Sequence, residues 1–340
     1  MKNVYTDHAE EYRALRGDFG LIDHDGAALI TVAGPGAAGY LGTVTTRSVD
    51  FLLEGQSVTA LLLSEEGSVL AEVLVHCRAE GYLIQVWPAQ AAIARAHLLT
   101  EAANHPGATV TDVSDELAVL ALEGPSSFSV AGGYLDFPIS SMAYRTHATT
   151  TWNGAPMLLS RSGVTGEYGY ALIVPSDRAE ALRTELIAAG ATTCGLDAVD
   201  TCRMEMRFVN IEREGVAGAT PFHLGLQWMV DFSGSFTGRD RLLARWESGL
   251  DRILVCWTAD EGDGADATPP QGGLSIVVDG TTVGAVAHAV YSPALGRVIG
   301  TARVDPAVAA SGLEFTAGDQ TVHTVSAPFL VATSFGRKID

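Results

Sequence analysis

An eight-residue pattern recurs ninety positions along this chain. Ala28-Leu-Ile-Thr-Val-Ala-Gly-Pro35 is echoed by Ala118-Val-Leu-Ala-Leu-Glu-Gly-Pro125. Each copy is an apolar, strand-forming run that stops at Gly-Pro and continues into small residues able to open a helix, with Pro suited to its first turn. Two copies are too few for a solenoid, which needs at least three stacked units. They fit a duplicated strand–turn–helix unit inside one α+β body. The 37 glycines among 340 residues punctuate short apolar runs rather than forming a linker, which points to many strands joined by tight turns.

Other segments fill in around the repeat. Ser57 to Leu63, Val69 to Cys77 and Tyr82 to Val86 read as a meander of strands, and the alanine-rich stretch Gln90 to Ala103 as a helix. A strand at Ala171 to Val174 leads through Pro175-Ser-Asp177 into a helix over Arg178 to Ala189, and Gly195-Leu-Asp197 opens another through about Arg207. From Arg252 onward short strands alternate with glycine turns and no strong helix pattern appears, which predicts a separate β domain. The glycine- and acid-rich run Ala259 to Gly273 reads as a solvated surface loop.

Charge and cysteine usage narrow the class. Lys and Arg number 21 against 40 Asp and Glu, a net −19 that lacks the basic footprint of a nucleic-acid binder and disfavours docking on anionic lipid. No apolar run approaches the ~18 residues of a spanning helix. The charged stretch Met1 to Glu11 has no secretory h-region. Cys77, Cys194, Cys202 and Cys256 form no C-x-x-C pair, and three of them have apolar neighbours, the pattern of buried reduced thiols. The nine histidines show no paired metal spacing, and no P-loop, zincin or dinucleotide fingerprint is present. The expectation is a cytoplasmic protein without a metal.

Three segments carry more chemistry: Arg161-Ser-Gly-Val-Thr-Gly-Glu-Tyr-Gly-Tyr170, Cys194-Gly-Leu-Asp-Ala-Val-Asp-Thr-Cys-Arg-Met-Glu205 and Ala219-Thr-Pro-Phe-His-Leu-Gly-Leu-Gln-Trp228. Glu205 is flanked by Met204 and Met206, so its carboxylate points into an apolar setting and needs a donor partner. That partner is open between a ligand and an arginine of the chain itself.

These segments resemble the folate-binding aminomethyltransferases, the family of the glycine cleavage T-protein, which reads approximately R-T-G-Y-T-G-E-D-G-F-E, then C-G-L-x-A-R-D-x-L-R-L-E, then T-P-x-E-x-G-L-x-W. Further matches run in order along nearly the whole chain. They are Glu11 to Asp23 with the opening helix and G-L-F-D turn, Glu66 to Glu72 with E-G-G-x-L-D-D, and Tyr291 to Gly296 and Ala327 to Phe329 with C-terminal signatures.

The resemblance implies an α+β, three-domain T-protein-like fold around a central folate channel, with a β-rich C-terminal domain. On that pattern residues 1–48 and 116–240 form a discontinuous folate-binding domain, 49–115 a second α+β domain and 250–340 a C-terminal barrel. It implies tetrahydrofolate or 5-methyltetrahydrofolate as the folate and Glu205 as the pterin-binding glutamate, a carboxylate accepting two neighbouring N–H groups. Tyr82 and Tyr168 are open between stacking on the folate rings and ordinary packing.

Departures from the family pattern point to a particular chemistry. The family's catalytic aspartate falls on Arg95, its V-V-N-A on Val86-Trp-Pro-Ala89, the asparagine of its T-N-D turn on Arg47, and its L-S-H-M on His24-Asp-Gly-Ala27. A guanidinium in place of an anion inverts the local field, which favours methyl transfer on a small one-carbon donor or acceptor, in the manner of the family's demethylases. Aminomethyl, formimino or hydroxymethyl transfer, and non-catalytic folate binding, are the alternatives. Arg95 would stabilise a leaving group or anchor a carboxylate, unless it lies on the exposed side of its helix. Without the aspartate, and with a −19 surface facing an acidic carrier, a lipoyl carrier partner is expected to be unlikely.

Overall fold

The computed structural model describes residues 2–260 and 268–339, so the expected loop at Ala259 to Gly273 lies in large part outside the described residues. The chain opens with α1 (His8–Gly17), whose first turn is capped by the Asp7 carboxylate accepting from the amides of Ala9 and Glu10 at 3.0 Å each. A short strand β1 (Gly20–Asp23) follows.

Two units of the same topology come next. The first runs β2 (Ala28–Ala33), α2 (Ala37–Val44), the meander β3 (Ser57–Leu63), β4 (Val69–Arg78) and β5 (Gly81–Val86), then α3 (Ala91–Ala102) and β6 (Thr109–Asp112). The second runs β7 (Leu117–Glu123), α4 (Phe128–Ala131), the meander β8 (His147–Trp152), β9 (Ala155–Ser160) and β10 (Gly169–Pro175), then α5 (Ala179–Ala188) and β11 (Thr192–Thr193). Each builds one sheet in which the last meander strand pairs with the first strand of its unit. The orders are β3-β4-β5-β2-β6 and β8-β9-β10-β7-β1-β11, differing by the insertion of β1 before the last strand. The echo at residues 28 and 118 is therefore the opening strand of each unit. Its glycines have the same physical role: Gly34 and Gly124 adopt φ of +94° and +136°, and a Cβ would lie 2.7 Å and 2.4 Å from the carbonyls of Gly107 and Asp18.

This topology corrects the expected domain limits. β2 and α2 belong with β3–β6, since β2 pairs with β5 and β6, so the boundary falls between β1 and β2 and not near residue 48. Hydropathy marks β2 as a strand but is silent on which strands flank it. Residues beyond α6 (Leu196–Met206), including α7 (Ile211–Glu214) and α8 (Arg239–Glu247), cross to the first sheet. There Val209, Phe222, Leu224 and Leu242 pack with Leu61 and Leu63 of β3.

The C-terminal part is a closed six-stranded barrel, order β12-β15-β14-β13-β16-β17. Its strands are β12 (Ile253–Ala259), β13 (Ser275–Val278), β14 (Thr281–Ser292), β15 (Arg297–Val304), β16 (Glu314–Ala317) and β17 (Gln320–Val325). Trp257 and Phe315 fill its centre. The mixed helix-and-sheet architecture with a β-rich C-terminal domain is thus the one expected. All four cysteines are free, and three are buried. No helix among the described residues is long and apolar enough to cross a membrane.

The two sheets face one another. Alternation along β7 turns Leu120 and Leu122 toward α5 and its neighbours, while Val119 meets Leu29 and Leu83 of the first sheet together with Leu158, Ala171 and Ile173. That dry contact closes one part of the inter-sheet space and leaves a cavity beside it.

Candidate functional site

The cavity offers about 60 Å³ and draws its walls from both units. The first sheet contributes Glu72, Gln85 and Trp87, the second Ala121, Glu123 and Ala171, and connecting segments add His24, Tyr144, Arg145 and Phe208. The room at this centre is small, and the volume of a small-molecule site lies in the chamber that adjoins it.

Glu123 stands at the end of β7, on the same side as Val119 and Ala121, and is 1% exposed. Its Oε2 accepts from the Val164 amide (3.0 Å), the Thr165 amide (2.9 Å) and the Thr165 hydroxyl (2.7 Å). Oε1 takes part in none of these bonds. Burial pushes this carboxyl above its usual range, against the pull of the Thr165 and Val164 donors. The loop fits closely, since a Cβ on Gly163 would stand 3.0 Å from Glu123 Oε2.

Across the cavity Trp87 meets two side chains of different kinds. The Arg203 guanidinium sits 5.2 Å from its ring centroid and the His24 imidazole 4.3 Å. Arg203 also reaches Glu72 at 3.6 Å and bonds the carbonyls of Phe208 and Val209. Arg145 brings a guanidinium whose Nη1 is buried with no hydrogen-bond partner among the described residues.

An outer chamber of about 470 Å³ shares Tyr144, Gly163 and Phe208 with the central cavity. Tyr168 lines it, with the Arg161 guanidinium 5.3 Å over its ring and its hydroxyl donating to the Arg337 carbonyl at 2.5 Å. Glu167 anchors the C-terminal segment there by accepting from Thr333 N, Ser334 N and Ser334 Oγ.

Of the four site residues expected from sequence, only Tyr168 lies on these chambers. Glu205 is 0% exposed and lines neither. Its Oε1 accepts from Tyr12 (2.7 Å) and Ser292 (2.5 Å), and its Oε2 from Arg16 Nε (2.8 Å) with Arg16 Nη2 at 2.7 Å. These donors take up the carboxylate's acceptor sites, so the pterin expected there has no place to bind. The arginine alternative is the one formed, and it ties α1, α6 and the barrel together. Burial and the Glu205 carboxylate together raise the Tyr12 hydroxyl above its ordinary range.

Arg95 is likewise corrected as a catalytic residue. It sits on α3 with its side chain 40% exposed and Nε 2.7 Å from Asp112 of β6, facing a polar cleft that contains Asp23 and Arg183 and meets the central cavity at His24. Tyr82 shares a face of β5 with Ile84 and Val86, which pack on α2 and α3, whereas Leu83 and Gln85 face the inter-sheet space. Strand parity alone turns Tyr82 away from the cavity.

Sequence reasoning missed Glu123, although it left a signal. The repeat has Ala33 in the first copy where the second has Glu123, an acid closing an otherwise apolar strand. Tyr144, Arg145 and Phe208 gave none, and His24 and Trp87 showed only as departures from the family pattern, because loops from four parts of the chain converge on the cavity only after folding.

Comparison with known proteins agrees with this architecture. Residues 2–234 match the GCVT N-terminal domain and residues 252–330 the glycine cleavage T-protein C-terminal barrel domain. An aminomethyltransferase of Streptomyces coelicolor is 33% identical over 319 residues, covering 91% of this chain and 84% of the relative. One from Streptomyces avermitilis is 31% identical over 339 residues, covering 96% and 90%. The crystal structure of the glycine cleavage system aminomethyltransferase T from Bartonella henselae superposes with a TM-score of 0.86 at 23% identity, covering 96% and 90%, and shows the same fold.

These relatives overturn the expectation that a lipoyl carrier is unlikely, since aminomethyltransferases of the glycine cleavage system work with a lipoyl-bearing protein. Both grounds for that expectation were physically weak. Arg95 is outside the cavity, and a net charge of −19 sets no local field beside Arg145, Arg161 and Arg337. By the two domain matches and the curated relatives, the chain belongs to the glycine cleavage T-protein family and is a one-carbon transferase.

Proposed function

We propose that this chain transfers an aminomethyl carbon from a thiol-bearing carrier to tetrahydrofolate. The observation that carries the reading is Glu123, a buried carboxyl whose Oε1 has no hydrogen bond among the described residues, on a cavity that Trp87, Tyr144 and Phe208 also wall. Those aromatic faces suit a flat ring, and Glu123 Oε1 suits its N–H groups. Arg145 and Arg161 supply cations for the anionic tail of folate, and Tyr168 offers a surface on the way out.

Bound tetrahydrofolate supplies the nucleophilic nitrogens. Moving the carbon onto them releases ammonia and the free thiol, so the two folate nitrogens that bond the carbon each lose a proton while the departing sulfur and nitrogen each gain one. Burial raises the Glu123 carboxyl, and ring N–H groups donating to Oε1 would favour its charged form, so Glu123 holds the ring in place for transfer. Water is kept out by the inter-sheet contact of Leu29, Leu83, Val119 and Ile173.

A second reading, methyl transfer giving 5-methyltetrahydrofolate, is favoured by one observation: the family's aspartate is missing, position 95 being an arginine that faces another cleft and takes no part in it. Mass spectrometry of the folate separates the two. Incubation with tetrahydrofolate and an aminomethylated lipoyl carrier should give 5,10-methylenetetrahydrofolate, and Glu123→Gln should slow it by about 10²-fold or more. Formation of 5-methyltetrahydrofolate from methyl donors, with no reaction of the aminomethyl carrier, would refute the first reading.

A further inference from the structure

A line of polar side chains crosses both sheets and ends at the cavity. His147 of β8 meets the Ser57 hydroxyl of β3 through Nδ1 at 3.1 Å, and Ser57 meets His76 Nδ1 of β4 at 2.9 Å. His76 Nε2 lies 3.4 Å from Gln85 Oε1 of β5, and Gln85 Nε2 lies 3.5 Å from His24 Nδ1. The last two bonds are long but continuous with the rest. His24 and His76 are buried, at 5% and 0% exposure. The chain ends at His24 Nε2, a buried nitrogen with no partner among the described residues, on a residue that lines the cavity.

The amide of Gln85 gives this line a direction. Its oxygen accepts, so His76 carries its proton on Nε2 and leaves Nδ1 to accept from Ser57. Its nitrogen donates, so His24 Nδ1 is the acceptor and the His24 proton is on Nε2. The Trp87 ring packs against the His24 imidazole in a tilted contact, centroids 4.3 Å apart. A buried N–H without an acceptor is costly to leave unmade, and His24 lines the central cavity, where a ligand can supply that acceptor.

We propose that His24 Nε2–H is a specificity-determining donor that reads an acceptor oxygen on the ring bound in the central cavity. Glu123 accepts from ring N–H groups, and His24 donates to a ring carbonyl. The class selected is therefore a flat heterocycle carrying a lactam, N–H beside C=O. A ring bearing an amino group in place of that carbonyl oxygen sets donor against donor and is rejected. Gln85 and His76 are positioning residues that fix the tautomer of His24. The inference rests on the folate reading and adds the atom that is recognised.

The test compares binding of tetrahydrofolate, a 4-oxopteridine, with its 4-amino counterpart by calorimetry, and reads histidine tautomers in ¹⁵N-histidine-labelled protein by NMR. Wild-type protein should favour the 4-oxo compound by about tenfold or more. His24→Leu should bring the two affinities within about threefold of each other, and His24→Gln, which keeps an N–H donor, should retain part of the preference. His24 should resonate as the Nε2–H tautomer and lose that signature in Gln85→Leu. Equal wild-type affinities, a preference that survives in folded His24→Leu, or a His24 proton on Nδ1 would each overturn this inference while leaving the folate reading standing. No binding of either pteridine would overturn both.

Discussion

Replacing Glu205 by Ala separates a structural carboxylate from a ligand-binding one. The substitution strips Arg16 of its charge partner inside the protein and leaves the hydroxyls of Tyr12 and Ser292 without their shared acceptor. Arg16 is only 10% exposed and keeps the carbonyls of Thr165 and Cys202 and the Glu167 carboxylate, so its charge stays partly compensated. Removing one partner of a buried pair costs about 3–5 kcal/mol. At about 2–4 °C per kcal/mol for domains of 150–250 residues, Tm should fall by roughly 6–20 °C in scanning calorimetry. Tetrahydrofolate at a hundredfold over its Kd adds about 2.7 kcal/mol, and that increment should be the same in the variant. Tyr12→Phe, which removes one bond to a charged acceptor, should cost about 1.5–3 kcal/mol and couple with Glu205→Ala in a double-mutant cycle. A Glu205→Ala protein melting within about 2 °C of wild type, with the folate increment abolished, would refute the strut and restore the pterin role.

Other perturbations follow from the same geometry. Burial holds His24 and His147 down to about 4 and His76 to about 3, below the ordinary histidine value of 6.5. The unfolded chain therefore binds protons first as pH falls, so stability is full above about pH 6.5 and declines toward pH 4, His24 alone accounting for ~2 kcal/mol at pH 5. Denaturant titrations that show no loss between pH 7.5 and 5 would contradict this. Gly124→Ala places a Cβ 2.4 Å from the Asp18 carbonyl at φ +136° and should cost well over about 1 kcal/mol, read as a lower Tm. Arg95→Ala should lower stability by less than about 1 kcal/mol, because its ion pair with Asp112 is solvent-accessible. Steady-state kinetics on it should show turnover within about twofold of wild type.

What could be read from the sequence was local or periodic. The opening strand of each unit, the helix ending near Arg207 and five barrel strands follow from apolar spacing, turn glycines and caps. Arg207 ends α6 by adopting φ +62°. The four-residue β16 escaped, being too short to show alternation between its glycine turns. Contacts between distant segments escaped as well. Glu205 meets Tyr12 across 193 positions and Ser292 across 87, which no local pattern encodes. Tyr82 shows a third kind of failure, since its type is right for a stacking residue but the parity of β5 had to be fixed by its neighbours before its direction was known.

The duplication has a consequence for how such a pocket diversifies. Because each unit supplies one wall, the walls can change separately while the scaffold of each is kept. The first unit retains Ala33 at its strand end, and the second carries Glu123. An originally symmetric cleft would treat both ends of a ligand alike. One acid on one side, facing Trp87 and His24 on the other, gives the pocket a head and a foot, and with them an orientation for whatever enters.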